Sequence, residues 1–286
     1  MLHVVEDAVL DSVKLVPFLF LTYLLMEYLE HKAGAKVLRA IERAGGSGRG
    51  LNLGPVAGAL LGALPQCGFS AASSNLYAGR VISLGALMSI YLSTSDEMLP
   101  ILLSERAPVG MIAKMLLIKV AVGMAAGLAI DFVLKLKGKE QHGRIHDICE
   151  QEHCGCEKGI LRSAFVHTIQ IFFFILLVTF ALNLVLFFMG EDVLENLILN
   201  HPVLGPVLAA LVGLMPNCAG SVVITRLYLE GAMGLGAAAA GLLSGSGLGV
   251  LVLFRVNHDR KENLKILGLL YCIGAGVGIM IGLIWS

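Results

Sequence analysis

Leu64-Pro65-Gln66-Cys67 returns as Met215-Pro216-Asn217-Cys218, 151 residues further along the chain. The same spacing holds on both sides without a gap. Leu53-Gly54-Pro55-Val56 recurs as Leu204-Gly205-Pro206-Val207, and Leu84-Gly85-Ala86 as Leu235-Gly236-Ala237. Ser70 falls on Ser221, Leu76-Tyr77 on Leu227-Tyr228, and Ser93 and Ser95 on Ser244 and Ser246. A duplication of this kind inside an apolar chain signals internal structural repeats. Its centre is a Pro, an amide and a Cys between short apolar pieces. That composition breaks a membrane helix, because Pro removes a backbone donor and clashes with the preceding turn.

Of 286 residues, 57% are hydrophobic and 15% charged, with a mean hydropathy of +0.82. A soluble chain carries about 25% charged residues, so the composition is that of an integral membrane protein. The net charge of zero gives no sign of a nucleic-acid partner. Met1 to Asp11 are mixed and acidic, unlike the basic start of a signal peptide, so the first apolar stretch is expected to remain as a membrane helix. The six cysteines (Cys67, Cys149, Cys154, Cys156, Cys218 and Cys272) lack the even spacing of a disulfide framework, and reduced thiols are expected. No GxxxxGK[ST], HExxH or GxSxG motif occurs. Neither an ATP motor nor an enzyme is therefore expected.

Hydropathy predicts a first helix over 9–30 and a basic loop over 31–50. Short pieces follow at 53–64 and 67–79, then spans at 81–103 and 108–135. A hydrophilic linker occupies 136–160. The second half repeats the plan: helix 161–188, loop 189–202, short pieces 204–215 and 218–230, helix 232–254, loop 255–263 and helix 264–285. At 1.5 Å per residue the short pieces reach about 18 Å each, too short for a hydrocarbon core of about 30 Å. If they are re-entrant, the basic stretches 31–50, 136–160 and 255–263 all fall in the cytoplasm. The loop with Glu191, Asp192 and Glu195 and no Lys or Arg then falls outside. Three crossings per half give the halves opposite orientations. The expected fold is an all-α integral membrane protein of two inverted repeats, each with three spanning helices and a broken re-entrant hairpin, about ten helical segments in all. Residues 1–135 form the first repeat, 136–160 a His/Cys-rich cytoplasmic linker, and 161–286 the second repeat. Glycine rows at spacing four (Gly54, Gly58 and Gly62; Gly241, Gly245 and Gly249; Gly274, Gly278 and Gly282) are expected to let helices pack closely.

Three groups of residues could carry chemistry. At the hairpin tips, Gln66 and Asn217 offer amides, and Cys67 and Cys218 soft thiols, beside the N-termini of new helices. The commonest fate of such a Cys is a small buried apolar residue, but its recurrence at both breaks favours a ligand. Ser93-Thr94-Ser95-Asp96-Glu97 reads as an unwound polar turn, mirrored by Ser244-Gly245-Ser246-Gly247 without the carboxylates. Asp96 or Glu97 could ligate a cation or carry a coupling proton. Alternatively, they sit near the outer interface and pair with Lys114 or Lys119. The third group is the linker's His142, His146, Cys149, His153, Cys154 and Cys156, a mixture suited to Zn, Cu(I), Cd or trivalent arsenic. His167 and Gln170, one turn apart, read as core polar residues.

The chain resembles the prokaryotic ten-helix heavy-metal exporter family, whose members are labelled arsenic efflux protein or manganese transporter. The resemblance rests on Ala63-Leu64-Pro65-Gln66-Cys67-Gly68-Phe69-Ser70, Tyr91-Leu92-Ser93-Thr94-Ser95-Asp96-Glu97 and Met215-Pro216-Asn217-Cys218-Ala219-Gly220, and covers essentially the whole chain. It implies a multi-pass protein of the prokaryotic inner membrane. Manganese, which prefers oxygen ligands, fits poorly with a Cys at both tips. The expected function is secondary transport, exporting a soft metal ion or metalloid through a midplane site between the tips. A small-anion carrier using the same helix N-termini, or a membrane-embedded metal sensor or metalloenzyme built on the linker, are the alternatives. No cofactor is required, though the linker could hold a metal ion. The expected partners are the lipid bilayer and the metal or metalloid ion, and a homodimer is left open.

Overall fold

The computed structural model describes residues 53–63, 67–95, 98–137, 203–216 and 218–284, with scattered helical positions between 16 and 24 and between 165 and 177. Ten helices carry the description: α1 (Gly54–Gly62), α2 (Cys67–Ala78), α3 (Leu84–Ser93), α4 (Met98–Ser104), α5 (Val109–Leu136), α6 (Leu204–Gly213), α7 (Cys218–Leu229), α8 (Leu235–Ser244), α9 (Gly249–Val256) and α10 (Arg260–Ile284). No strand occurs among the described residues. Helices α7 to α10 each begin 151 residues after α2 to α5, and α6 begins one residue early relative to α1. The duplication read from short motifs therefore extends over whole helices.

Local chemistry sets these bounds. Pro55 stands in the first turn of α1, where its missing N–H costs nothing. Ser83 caps α3, its Oγ accepting Ala86 N at 3.0 Å. The buried carboxylate of Asp131 on α5 accepts both Ser83 Oγ and Gly85 N, at 2.7 and 2.8 Å. It thus sits at the positive end of α3. Asp259 caps α10 through Lys261 N and Glu262 N.

Packing is also repeated. α3 lies against α1 and α5, as α8 lies against α6 and α10. The crossings between halves are reciprocal: α2 packs on α9, and α7 on α4. Close approach depends on missing side chains. A Cβ on Gly127 would lie 2.5 Å from Gly85 O, and one on Gly278 2.6 Å from Gly236 O. No real Cβ tolerates either distance, so these α3–α5 and α8–α10 contacts require glycine.

Three stretches are long and apolar enough to cross a membrane: Val109–Leu136, Leu235–Val256 and Arg260–Ile284. The middle one, α8 followed by α9, is 83% buried, against 22% and 33% for the other two. It therefore runs through the bundle, while α5 and α10 turn Leu117, Phe132, Met280 and Leu283 outward. This is an all-helical, multi-pass membrane protein.

The expected short pieces are present as α1, α2, α6 and α7. The expected spans over 81–103 and 232–254 are each broken in two, after Ser93 and after Ser244, at the polar turns read from the sequence. The loop expected over 255–263 contracts to 257–259, because α9 continues through Arg255 and the Asp259 cap starts α10 at Arg260.

Candidate functional site

The two breaks arise from different residues. In α3, Ile90 O accepts Thr94 N at 2.9 Å, Thr94 Oγ1 at 2.7 Å and Ser93 Oγ at 3.1 Å. These hydroxyls compete with the backbone ladder, and Thr94 leaves the helical region with ψ 124°. Ser95 Oγ then donates to Ala63 O at 2.6 Å. That bond ties the break to the last described residue before Leu64-Pro65-Gln66. In the second half the break is made by glycine. Gly245 is extended, and Gly247 takes φ +54°, a region open to glycine at little cost.

The two breaks meet at one cavity of about 20 Å³, enough for a water-sized particle. Thr94, Ser95 and Met98 line it from the first break, and Leu242, Gly245 and Gly247 from the second. Gly213 closes it from the end of α6, Ser221 from α7 and Lys119 from α5. Lys119 is 2% exposed, and its Nζ donates to Leu242 O at 2.5 Å. That carbonyl lies in the last turn of α8, where acceptors have no partner within the helix and the helix dipole favours a cation.

A buried polar seam joins α2 to α9. Ser74 Oγ lies 2.7 Å from both Gly249 O and Tyr91 Oη, and 2.8 Å from Ser70 O. Ser74 has one hydroxyl proton. When it donates to either carbonyl, Tyr91 supplies the proton of the Ser74–Tyr91 bond. At the far end of the seam, Arg80 forms a two-toothed ion pair with Glu262, which also accepts Tyr77 Oη and Asn257 Nδ2. The reciprocal α7–α4 crossing is apolar, with Ile224 and Leu227 packed on Met98 and Leu102.

The candidates from sequence divide as follows. Thr94 and Ser95 line the cavity, as do Gly245 and Gly247 between and beside Ser244 and Ser246. Ser246 is buried at the same break. Ser93 turns back to Ile90 O. Ser244 Oγ is fully buried with no hydrogen-bond partner among the described residues, and a Cβ on Gly274 would lie 2.2 Å from it. Cys67 and Cys218 are the first residues of α2 and α7. Cys218 therefore stands one turn before the cavity-lining Ser221. Gln66, Asn217, Asp96, Glu97, His142, His146, Cys149, His153, Cys154, Cys156, His167 and Gln170 lie outside the described residues. Among the described residues no three His, Cys, Asp or Glu gather as a metal site.

Sequence reasoning offered Lys119 as a partner for Asp96 or Glu97, which lie outside the described residues; among the described residues its Nζ donates to Leu242 O, a carbonyl of the other half. A usable signal existed. Lys119 corresponds to Leu270 in the second repeat, so a charge appears at one of two equivalent intramembrane positions. Arg80–Glu262 left no comparable trace.

Residues 132–258 match a family model described as "Putative, 10TM heavy-metal exporter". The match covers less than half of the chain, reaching from the end of α5 through α9. No curated protein matches, and no solved structure matches.

Proposed function

We propose that the protein is a secondary transporter that exports a soft metal ion or metalloid, working as two inverted repeats around the cavity between the helix breaks. The observation that carries this reading is the meeting of two repeat-equivalent breaks at one small cavity whose lining includes Thr94, Ser95, Ser221 and Lys119. Irregular backbone at membrane depth is tolerated where it lines such a space, and transporter sites form between broken helices of paired repeats. In this reading α1–α2 and α6–α7 are re-entrant hairpins. Their tips bring Gln66, Cys67, Asn217 and Cys218 toward the cavity. Asp96 or Glu97 couples cargo movement to protons, and one repeat rocks against the other. The linker's His and Cys collect metal on the cytoplasmic side. The match to a heavy-metal exporter family over 132–258 supports the cargo class.

A small-anion carrier is the second reading, favoured by the ammonium of Lys119 at the cavity wall. Reconstitution separates the two. Proteoliposomes of the full chain are expected to move Zn²⁺, Cd²⁺ or arsenite and to ignore phosphate and sulfate. Flux of phosphate or sulfate alone reverses the order of the readings. Flux of none of these ions defeats both.

A further inference from the structure

Two pairs of equivalent serines flank the breaks, Ser93 with Ser244 and Ser95 with Ser246, and each pair is arranged unequally. In the first repeat Ser93 Oγ turns toward α1. It fills the space that a Cβ on Gly62 would need, and it donates to Ile90 O. Ser95 Oγ donates to Ala63 O, at the end of the same arm. In the second repeat Ser244 Oγ turns toward α10 instead. It fills the space that a Cβ on Gly274 would need, and it has no hydrogen-bond partner among the described residues. Leu214 is the equivalent of Ala63, yet among the described residues no bond joins Ser246 Oγ to Leu214 O.

The local sequence does not force this difference. Gly62 and Gly123 flank Ser93, and their equivalents Gly213 and Gly274 flank the segment of Ser244. Gly62 stands against Ile90 O, and Gly213 against the equivalent Gly241 O. Each repeat thus lacks a side chain on both sides of its serine, toward the hairpin arm and toward the long helix. The acceptor is duplicated as well. Gly241 O accepts Gly245 N as Ile90 O accepts Thr94 N. A buried hydroxyl without a partner is unfavourable, and Gly241 O is one turn away from Ser244. The same residues in two equivalent places take two arrangements, as paired repeats do when each holds one of two states.

Resting on the transporter reading, we propose that Ser95–Ala63 and Ser246–Leu214 form one latch whose halves close alternately. In the arrangement present, the first half is closed. It holds α1 to the break after Ser93 and shuts the cavity from the face of the membrane that bears the loop 31–50. In the opposite arrangement Ser95 releases Ala63 O, and Ser246 Oγ donates to Leu214 O. Ser93 then turns to Gly123, while Ser244 turns to Gly213 and donates to Gly241 O. Each repeat takes the conformation that the other had. The two arrangements contain the same number of these bonds, so the latch itself favours neither, and cargo decides between them. Thr94 has no counterpart hydroxyl at Gly245, and its bond to Ile90 O takes no part in the exchange.

The test reads access to the cavity from each face. The full-length chain, with its six native cysteines replaced, carries Met98→Cys at the cavity wall. In membrane vesicles of known orientation it is labelled from either face with an impermeant methanethiosulfonate. Ser95→Ala removes the closed half of the latch. It is expected to raise the rate of labelling from the 31–50 face, relative to the opposite face, by about fivefold, the effect of one ordinary hydrogen bond on a two-state equilibrium. Ser246→Ala removes the bond of the other arrangement and is expected to lower the same ratio by about fivefold. The double variant is expected to return to the ratio of the parent chain. Loss of a cargo ligand or of stability does not move access in opposite directions at two equivalent serines. Size-exclusion profiles check the fold, and because the signs are opposite, either single variant decides if the other misfolds. Ratios that do not move, that move the same way, or that move with reversed signs overturn the latch. Flux is measured in parallel on the chain with its native cysteines in proteoliposomes, with Zn²⁺, Cd²⁺, arsenite and phosphate. Flux together with unmoved ratios removes the latch alone. A chain that moves none of these ions removes the transporter reading, and the latch with it.

Discussion

Arg80 meets Glu262 tooth for tooth, Nη1 2.9 Å from Oε1 and Nη2 2.8 Å from Oε2, across 182 residues of sequence. The pair pins the end of α2 to the start of α10, and so one repeat to the other. Arg80 also adopts φ +56°, closing the α2 terminus with Val81 N on Leu76 O and Arg80 N on Tyr77 O. The equivalent residue at the end of α7 is Gly231, at φ +74°, with no acid to bind. Glu262→Gln is expected to cost about 1–2 kcal/mol, since it removes charge-assisted bonds at a half-buried site. The measurement is thermal stability of the purified protein in detergent. A melting curve that overlays wild type would show the pair to be decorative.

The same pair has a signed response to alkali. The hydrogen bond to Glu262 raises the pKa of Arg80 above its ordinary value, with burial pulling the other way. A raised pKa means that the contribution is complete below the unfolded value and fades only as pH passes the folded one. For this guanidinium that window lies far above any working pH. The stability gap between wild type and Glu262→Gln is therefore expected to stay constant from about pH 7 to about pH 9. A gap that closes across that range would place the contribution in some group other than Arg80.

Two glycines on α10, two residues apart, give a clean contrast. A Cβ at Gly274 would lie 2.2 Å from Ser244 Oγ and 3.0 Å from Ala240 O, while one at Gly276 meets nothing within 4 Å. Gly274→Ala is expected to destabilise by about 1–3 kcal/mol through overpacking. Gly276→Ala should be neutral or stabilising by up to about 1 kcal/mol, because alanine is the better helix former. Equal melting temperatures for the two variants would refute the close α8–α10 contact.

The short helices were legible because their evidence was local and doubled. Two copies of a Pro, an amide and a Cys between apolar pieces of matching length left little room for another reading. The breaks at Ser93 and Ser244 were half legible. Hydropathy averages over the turn and returns a continuous span, whereas the hydroxyls of Ser93 and Thr94 act on one carbonyl, and Gly247 acts through φ alone. Lys119 on Leu242 O and Arg80 on Glu262 join residues from opposite halves of the chain. Each lacks a mirror in the other repeat, so the duplication that revealed the helices concealed the bonds that make the two halves differ.

The inverted-repeat reading puts the loop 31–50 and the linker 136–160 in the cytoplasm and 189–202 outside, because Lys32, Lys36, Arg39, Arg43 and Arg49 fall in the first while 189–202 has no Lys or Arg. Single cysteines introduced into each loop of an otherwise Cys-free chain are expected to react with a membrane-impermeant maleimide in intact cells only within 189–202. Labelling of 31–50 from outside would give both halves the same orientation and end that reading.

The last expectation concerns Cys67 and Cys218, the first residues of α2 and α7. Thiolate is the form that binds soft metals. The repeat places the two thiols at equivalent positions, and Ser221, one turn beyond Cys218, lines the cavity. Cys→Ser keeps size and polarity but replaces sulfur with a hard oxygen. With Cd²⁺ or arsenite as cargo, Cys67→Ser or Cys218→Ser is expected to weaken binding by about tenfold or more while the melting temperature barely moves. Phosphate or sulfate binding should be indifferent to the same change. Loss of affinity in one variant only would assign the cargo to one tip rather than the pair. If both single variants and the double move the metal at wild-type rates, sulfur is not the ligand. Gln66, Asn217 and the helix ends then become the binding groups, and the anion carrier becomes the better account of the protein.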